Sequence, residues 1–270
     1  MLTDTHVHFD GLLATGDDIR AIMERAGRSG VSRLIAIGGS SAANRTALEI
    51  ARAYPGRIRA ALGYNRDLAA AFGKQTPDDG KRTMDELEEL LKAPEAAAIG
   101  EIGLDFQHGN ETSVAQIALF QSMLLLARER RLPVCVHTRL AEAETLAALR
   151  EHAAAWQGAS GRIGVMHCFT GGAGFARDLL ALGFAISFSG ILTFKNAGEL
   201  PAVAALVPDD RLLIETDAPY LAPVPFRGRP NEPAYVRRVA ETLAAIRHTS
   251  LEKIAEITSR NAARLFWGSE

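Results

Sequence analysis

The stretch Leu2-Thr3-Asp4-Thr5-His6-Val7-His8 decides how this chain is read. It has the length of a strand and ends in two histidines, two residues apart. In a doubly wound nucleotide-binding sheet the first strand often runs into a Gly-rich loop of the form G-x-G-x-x-G. No such loop follows His8. Working outward, seven more apolar runs have strand length: residues 33–38, 57–63, 97–101, 133–137, 161–167, 185–189 and 211–215. Between them, segments 17–29, 43–54, 81–92, 113–130, 141–155 and 173–182 repeat apolar residues at three- and four-residue spacing, as amphipathic helices do. Asp17, Ser113 and Asn196 suit helix N-caps. Alternating strands and helices imply parallel βαβ units. Eight of them in 270 residues predict an α/β fold, a TIM-like (β/α)8 barrel forming a single domain over residues 1–270. The open doubly wound sheet is the alternative, and the missing phosphate loop counts against it.

Composition narrows the class. With 47% hydrophobic and 23% charged residues, the chain can bury a sizeable core without disulfide staples. Thirty basic against thirty-two acidic residues exclude a generally basic nucleic-acid coat protein, but leave room for a local basic patch. Two cysteines, Cys135 and Cys168, exclude a disulfide framework; they suit a reducing compartment and read as packing residues. No basic segment precedes an apolar run at the N-terminus, and apolar stretches such as 163–166 are too short to span a bilayer. A cytoplasmic protein with no membrane association and no obligate protein partner is expected. The Pro-, Gly- and Arg-rich segment 219–233 reads as a long loop after the eighth strand. A last helix, 251–267, is expected on the outside, with Asn261 and Phe266 structural.

The histidines carry the chemistry. They are His6, His8, His108, His137, His152, His167 and His248. His6, His8, His137 and His167 fall at the C-terminal ends of predicted strands one, five and six, the rim where barrel enzymes place reacting groups. His6 and His8, two apart on a strand, share a face and can chelate one cation. Glu101 ends strand four and Asp217 follows strand eight. Buried unpaired carboxylates there would be costly unless a cation neutralised them. These six donors exceed the three protein ligands of a tetrahedral catalytic zinc. They fit two divalent ions about 3.5–4 Å apart, sharing one carboxylate. None of the five lysines (Lys74, Lys81, Lys92, Lys195, Lys253) ends strand four, so a carboxylated lysine is not the bridge and Glu101 is. His6, His8 and Asp217 then hold one ion, His137 and His167 the other. Asp217 is also the candidate general base, the catalytic residue of this reading. Glu215 either orients a histidine from behind or forms a core ion pair. Mixed imidazole and carboxylate donors suit Zn²⁺ or Mn²⁺, and an oxygen-rich half could take Mg²⁺.

At this point the chain resembles the TatD family of metal-dependent hydrolases, nearly end to end. The matching runs are Asp4-Thr5-His6-Val7-His8, Gly100-Glu101-Ile102-Gly103-Leu104-Asp105, Val136-His137-Thr138-Arg139, His167-Cys168-Phe169-Thr170-Gly171, Ser187-Phe188-Ser189-Gly190 and Glu215-Thr216-Asp217-Ala218-Pro219-Tyr220-Leu221. The resemblance implies a TIM-like barrel, a two-ion site on the same six ligands, and metal-dependent deoxyribonuclease activity. Two runs depart from the family. Members commonly carry Gly-x-His-Pro after strand three, where this chain has Gly63-Tyr64-Asn65-Arg66. Members often carry Pro-x-His-Arg-Gly-Lys after strand eight, where this chain has Phe226 for the histidine and Arg229 for the lysine. The ligands stay, and the shell facing the substrate changes.

Arg66, Arg139, Lys195, Arg227 and Arg229 all follow predicted strand ends and can converge on the rim. Guanidinium groups suit phosphate oxygens. Arg139, Arg227 and Arg229 are taken as the substrate-binding set. Tyr64, Phe106, Phe169 and Tyr220 could offer faces on which bases stack. The expected function is a phosphodiesterase acting on DNA, single-stranded or with an exposed 3′ end, as a 3′–5′ exonuclease. A hydrolase of a small amide, ester or lactone on the same barrel is the alternative; it would need a closed pocket in place of an open, cation-lined groove. A non-catalytic metal-binding scaffold would be expected to have lost a ligand or the base, and neither is missing.

Overall fold

The structure, a computed structural model, describes residues 1–107 and 110–268, so His108 lies outside the described residues. Eight parallel strands pair in chain order: β1 (Leu2–Val7), β2 (Val31–Gly39), β3 (Ile58–Tyr64), β4 (Ala96–Asp105), β5 (Val134–Arg139), β6 (Gly164–Met166), β7 (Ala185–Phe188) and β8 (Leu212–Ile214). The helices that follow them include α1 (Phe9–Ala14), α2 (Ile19–Arg28), α3 (Ser41–Ala53), α4 (Ala69–Phe72), α5 (Pro77–Leu90), α6 (Ser113–Arg130), α7 (Glu142–Ala154), α8 (Ala173–Ala181), α9 (Leu200–Leu206), α10 (Val236–Ile246) and α11 (Leu251–Ala262). The ring closes just beyond β8. Val7 pairs in parallel with Ala218, Asp217 N–H donates to the His6 carbonyl at 3.0 Å, and His8 N–H donates to the Ala218 carbonyl at 2.8 Å. The fold is the TIM-like barrel that the alternation predicts.

Strand β4 opens with three alanines, poor strand formers by propensity; burial on both faces decides instead. Ile35, Ile37, Ala61, Ala97, Cys135, Val165 and Leu213, from six strands, pack together as the filling of the barrel. Leu265 and Phe266 join them. The end of the last helical segment is therefore an internal plug, not the purely outer packing expected of residues 251–267. Asn261 ties it on by donating from Nδ2 to the carbonyls of Asp209 (2.6 Å) and Leu212 (2.9 Å).

Two irregularities position the site. Asp4 aligns with Leu34 and Val7 with Ala36, so β1 holds one residue more than β2 across that span. Ile99 aligns with Val134 and Ile102 with Val136, so β4 likewise exceeds β5. Bulges of this kind re-aim side chains, and the two spans contain His6 and Glu101. Gly103 makes the next step possible. Its φ is +139°, and a Cβ there would lie 1.9 Å from the His137 carbonyl oxygen.

Some boundaries move. Strand β4 continues to Asp105 because its pairing with β5 runs on through Asp105↔Arg139. The N-cap of α2 is Asp18, which accepts from Ala21 N–H at 3.0 Å; Asp17 pairs with Arg25. Thr112, not Ser113, precedes α6, and α9 starts after Glu199, beyond Asn196. The long loop after β8 is as expected, apart from the short turn Pro233–Tyr235 where it ends. No helix among the described residues is long and apolar enough to cross a membrane.

Candidate metal centre

The six expected donors meet at the C-terminal mouth of the barrel. His6 Nε2 and His8 Nε2 are 3.2 Å apart, and Asp217 Oδ1 lies 3.8 Å from the first and 3.4 Å from the second. Barrel closure puts Asp217 there, since its backbone N–H is bonded to His6. Asp217 has a φ of +60°, a conformation that non-glycine residues adopt mainly where the surroundings enforce it. Beside this group stands a second. His137 Nδ1 and His167 Nε2 are 3.2 Å apart, and Glu101 Oε1 is 3.2 Å from both. The Glu101 Oε2 atom looks the other way, 3.8 Å from His8 Nε2. The His6 and His167 rings stack at 3.8 Å, so the two groups share a wall.

These distances test whether a cation fits. Within each histidine pair, nitrogen faces nitrogen. Either one nitrogen donates a hydrogen to the other, or both lone pairs address a common ion. Tetrahedral ligands about 2.1 Å from an ion stand about 3.4 Å apart, close to the spacing found here. The donor atoms of His6, His8 and Asp217 all lie within 4.8 Å of one another, as do those of Glu101, His137 and His167. The set fits divalent metal binding.

Protonation follows from the neighbours. Burial and the nearby His167 and His8 push His6 well below the usual imidazole value, so it is neutral and its lone pair available. Burial also lowers His137. Burial disfavours charge on Glu101, but His167, His137 and Arg66 overcome it and hold the carboxyl well below its ordinary range. His8 is raised, Asp217 and Glu101 outweighing its burial. His167 shows the strongest pull: burial lowers it, and Glu101 and Glu215 together raise it to about 10.

Behind the donors, Glu215 Oε1 lies 3.2 Å from His167 Nδ1 and accepts from Cys168 N–H at 2.6 Å. This is the orienting geometry, the first of the two roles that the sequence left open for Glu215. Asp105 Oδ2 stands 3.5 Å from His137 Nε2 in the same relation. Sequence reasoning missed Asp105, although Glu101, Gly103 and Asp105 share a strand face by alternation. Asp4 was also missed. It accepts from Thr216 N–H (2.9 Å), Thr216 Oγ1 (2.6 Å) and His6 N–H (3.2 Å), pinning β1 to the segment that carries Asp217. Burial pushes its carboxyl up to about 8 against those bonds.

Two cavities open from the centre. One of about 350 Å³ runs past Gly39, Ser40 and Asn65, and another of about 520 Å³ past Thr138, Arg139 and Leu221. Both are lined by Arg66, His137, His167, Asp217 and Tyr220. Of the five basic residues expected at the rim, Arg66 and Arg139 line these cavities, and Lys195, Arg227 and Arg229 do not. The Arg227 guanidinium lies 3.7 Å over the Phe194 ring. Tyr64 and Phe169 are buried and offer no face to a base, whereas Tyr220 is 56% exposed at the lip. Asn65 is used in place: its Oδ1 caps the turn Arg66–Leu68 by accepting from Asp67 N–H. Phe226 stacks on Tyr235 at 4.0 Å.

Comparison with known proteins finds a matching family, and relatives named as metal-dependent hydrolases. The family described as TatD related DNase matches residues 3–267. An uncharacterized metal-dependent hydrolase, YabD of Bacillus subtilis (strain 168), is 38% identical over 98% of this chain and 99% of its own. A protein named 3′-5′ ssDNA/RNA exonuclease TatD, from Edwardsiella piscicida, is 34% identical over 92% of this chain and 93% of its own. Among solved structures, the TatD homolog YJJV from Escherichia coli K12 superposes with a TM-score of 0.85 at 29% identity, covering 98% of this chain and 97% of that one.

Proposed function

This chain belongs to the TatD family of metal-dependent hydrolases, and from that premise we propose that it is a two-metal deoxyribonuclease removing nucleotides from the 3′ end of single-stranded DNA. The observation that carries the reading is Glu101, whose two oxygens address the two donor groups separately. His6, His8 and Asp217 would hold one ion and His137 and His167 the other, with Glu101 as the carboxylate shared between them. Zn²⁺ and Mn²⁺ suit the mixed donor set, and Mg²⁺ the more carboxylate-rich half. When bound, such a pair supplies Lewis acidity, acidifies water and balances charge that develops on phosphoryl oxygens.

The protein's own groups do the rest. Asp217, buried except for an edge on the cavity, takes the proton of the attacking water on its carboxylate. Glu215 and Asp105 hold His167 and His137 in the orientation that turns the opposite nitrogens inward. Tyr220 supplies the exposed face for a terminal base. Arg139 contacts the strand in the larger cavity, and Arg227 and Arg229, which line neither cavity, contact it farther out. The name of the Edwardsiella piscicida relative supports a nucleic-acid substrate.

Cavities of about 350 and 520 Å³ would also hold a small ester, amide or lactone, and this is the second reading. One assay separates them. End-labelled single-stranded oligonucleotides are presented beside small esters and lactones, with Zn²⁺, Mn²⁺ or Mg²⁺ in turn. Shortening from the 3′ end that chelator abolishes is the expected result. Turnover of the small substrates alone would replace the nuclease reading with the second one.

A further inference from the structure

Arg66 is set apart from every other cation of the mouth. It opens the turn Arg66–Leu68 directly after β3, where Asn65 is fixed by its N–H to the Gly39 carbonyl (3.0 Å). Its side chain is only 21% exposed. Nη1 donates to Glu101 Oε1 at 2.9 Å, and Nε has no hydrogen-bond partner. Asp67, Asp105 and Asp217 are near enough to stabilise its charge further. It lines both cavities, whereas the exposed Arg139 lines only the larger.

Charge arithmetic gives this position a meaning. Around the donors the buried carboxylates of the described residues are Glu101, Asp105, Glu215 and Asp217, together with Asp4, which burial pushes up to about 8 and so leaves largely uncharged at neutral pH. Two divalent ions would balance the charges of Glu101, Asp105, Glu215 and Asp217 and leave the guanidinium with the solvent-exposed Asp67, 3.6 Å from its Nε, as its remaining partner. One surplus positive charge, where the two cavities meet, matches a single phosphodiester group. A neutral ester, amide or lactone would leave it with only that exposed partner in a largely desolvated place.

We propose that Arg66 determines specificity for an anionic scissile group, its guanidinium edge binding a non-bridging phosphoryl oxygen where the two cavities join. This rests on the two-metal reading of the same site. A planar guanidinium can serve the Glu101 carboxylate and a phosphoryl oxygen at once through different N–H groups.

The test combines a binding arm and a kinetic arm. Calorimetry measures inorganic phosphate binding to the metal-loaded protein and to Arg66→Gln and Arg66→Lys, with metal content and thermal unfolding recorded for each. Expected are at least tenfold weaker phosphate binding in Arg66→Gln, partial recovery in Arg66→Lys, and unaltered metal content. In the kinetic arm the 3′-terminal linkage is a phosphodiester or an uncharged methylphosphonate. Arg66→Gln should lower kcat/KM at least tenfold for the diester, and the preference for diester over methylphosphonate should shrink by the same factor. Equal phosphate binding by Arg66→Gln and the parent overturns the proposal. So does loss of metal in step with loss of phosphate, since Arg66 would then act through Glu101. A protein that cleaves no oligonucleotide fails the nuclease reading alone, because the phosphate arm still decides the role of Arg66.

Discussion

Two buried histidines sit on different sides of this barrel and meet opposite fates. His167, at the mouth, lies between Glu101 and Glu215, each 3.2 Å away, and despite its burial is raised to about 10. His152, on α7, is just as inaccessible, but its neighbours are Trp156, Phe184 and the cation of Arg128. Burial and Arg128 push it down to about 4. Burial alone therefore says nothing about what a histidine does; the carboxylates around it decide. The mouth gathers acids and imidazoles into a place built for cations. The flank uses the same side chain as an aromatic filler.

The sharpest way to break the contrast is to disarm the mouth. Asp217→Asn should lower nuclease turnover by about 10²–10⁴-fold, the range spanned by general-base catalysis, with unfolding temperature little changed. Equal rates in the variant and the parent would remove Asp217 from its role as base. Glu215→Gln is a milder cut. Losing a carboxylate behind a metal-binding histidine costs about 10–100-fold in metal affinity, measurable by competition with a chromogenic chelator. An unchanged affinity would make Glu215 a packing residue like those around His152.

On the flank the expected effect is on stability. Unfolded His152 binds a proton near pH 6.5, and folded His152 only near pH 4. Between these values the unfolded state holds more protons, so this contribution is present above pH 6.5 and is lost as pH falls toward 4. The linkage amounts to about 2 kcal/mol between pH 7.5 and pH 5. Urea unfolding at both pH values should show that difference shrink in His152→Leu. A parallel loss in both proteins would mean that His152 is not buried uncharged. The smallest effect belongs to the outer rim. Arg229→Ala should reduce the salt dependence of oligonucleotide binding by about one unit of slope and leave metal content untouched. A slope equal to that of the parent takes Arg229 out of the binding track.

How much of this could be read from residues alone differs along the chain. His6 and His8 were legible because strand periodicity fixes their shared face, and Glu101 and Asp217 because each ends a clear apolar run. The bulges that aim His6 and Glu101 were not legible; they arise from register between neighbouring strands. Asp105 was not legible because the apolar run of β4 ends at Glu101, and only pairing with β5 carries the strand on to Asp105. Tyr64 and Phe169 misled, since an aromatic residue beside a strand end can serve the core as well as the rim. Loop 219–233 has no periodicity, so nothing in it told that Arg227 would settle on Phe194. Phe266 was recognised as structural, but that it fills the barrel from below follows only from the closed ring.

That ring is completed last in sequence, by the backbone bonds that join residues 217 and 218 to residues 6 and 8. A nascent polypeptide whose first seven strands have emerged from the ribosome already carries every imidazole of the centre and Glu101. It still lacks Asp217, the proposed base. Under the proposed mechanism such an intermediate has no base, and hydrolysis waits until the segment after the final strand docks against the first.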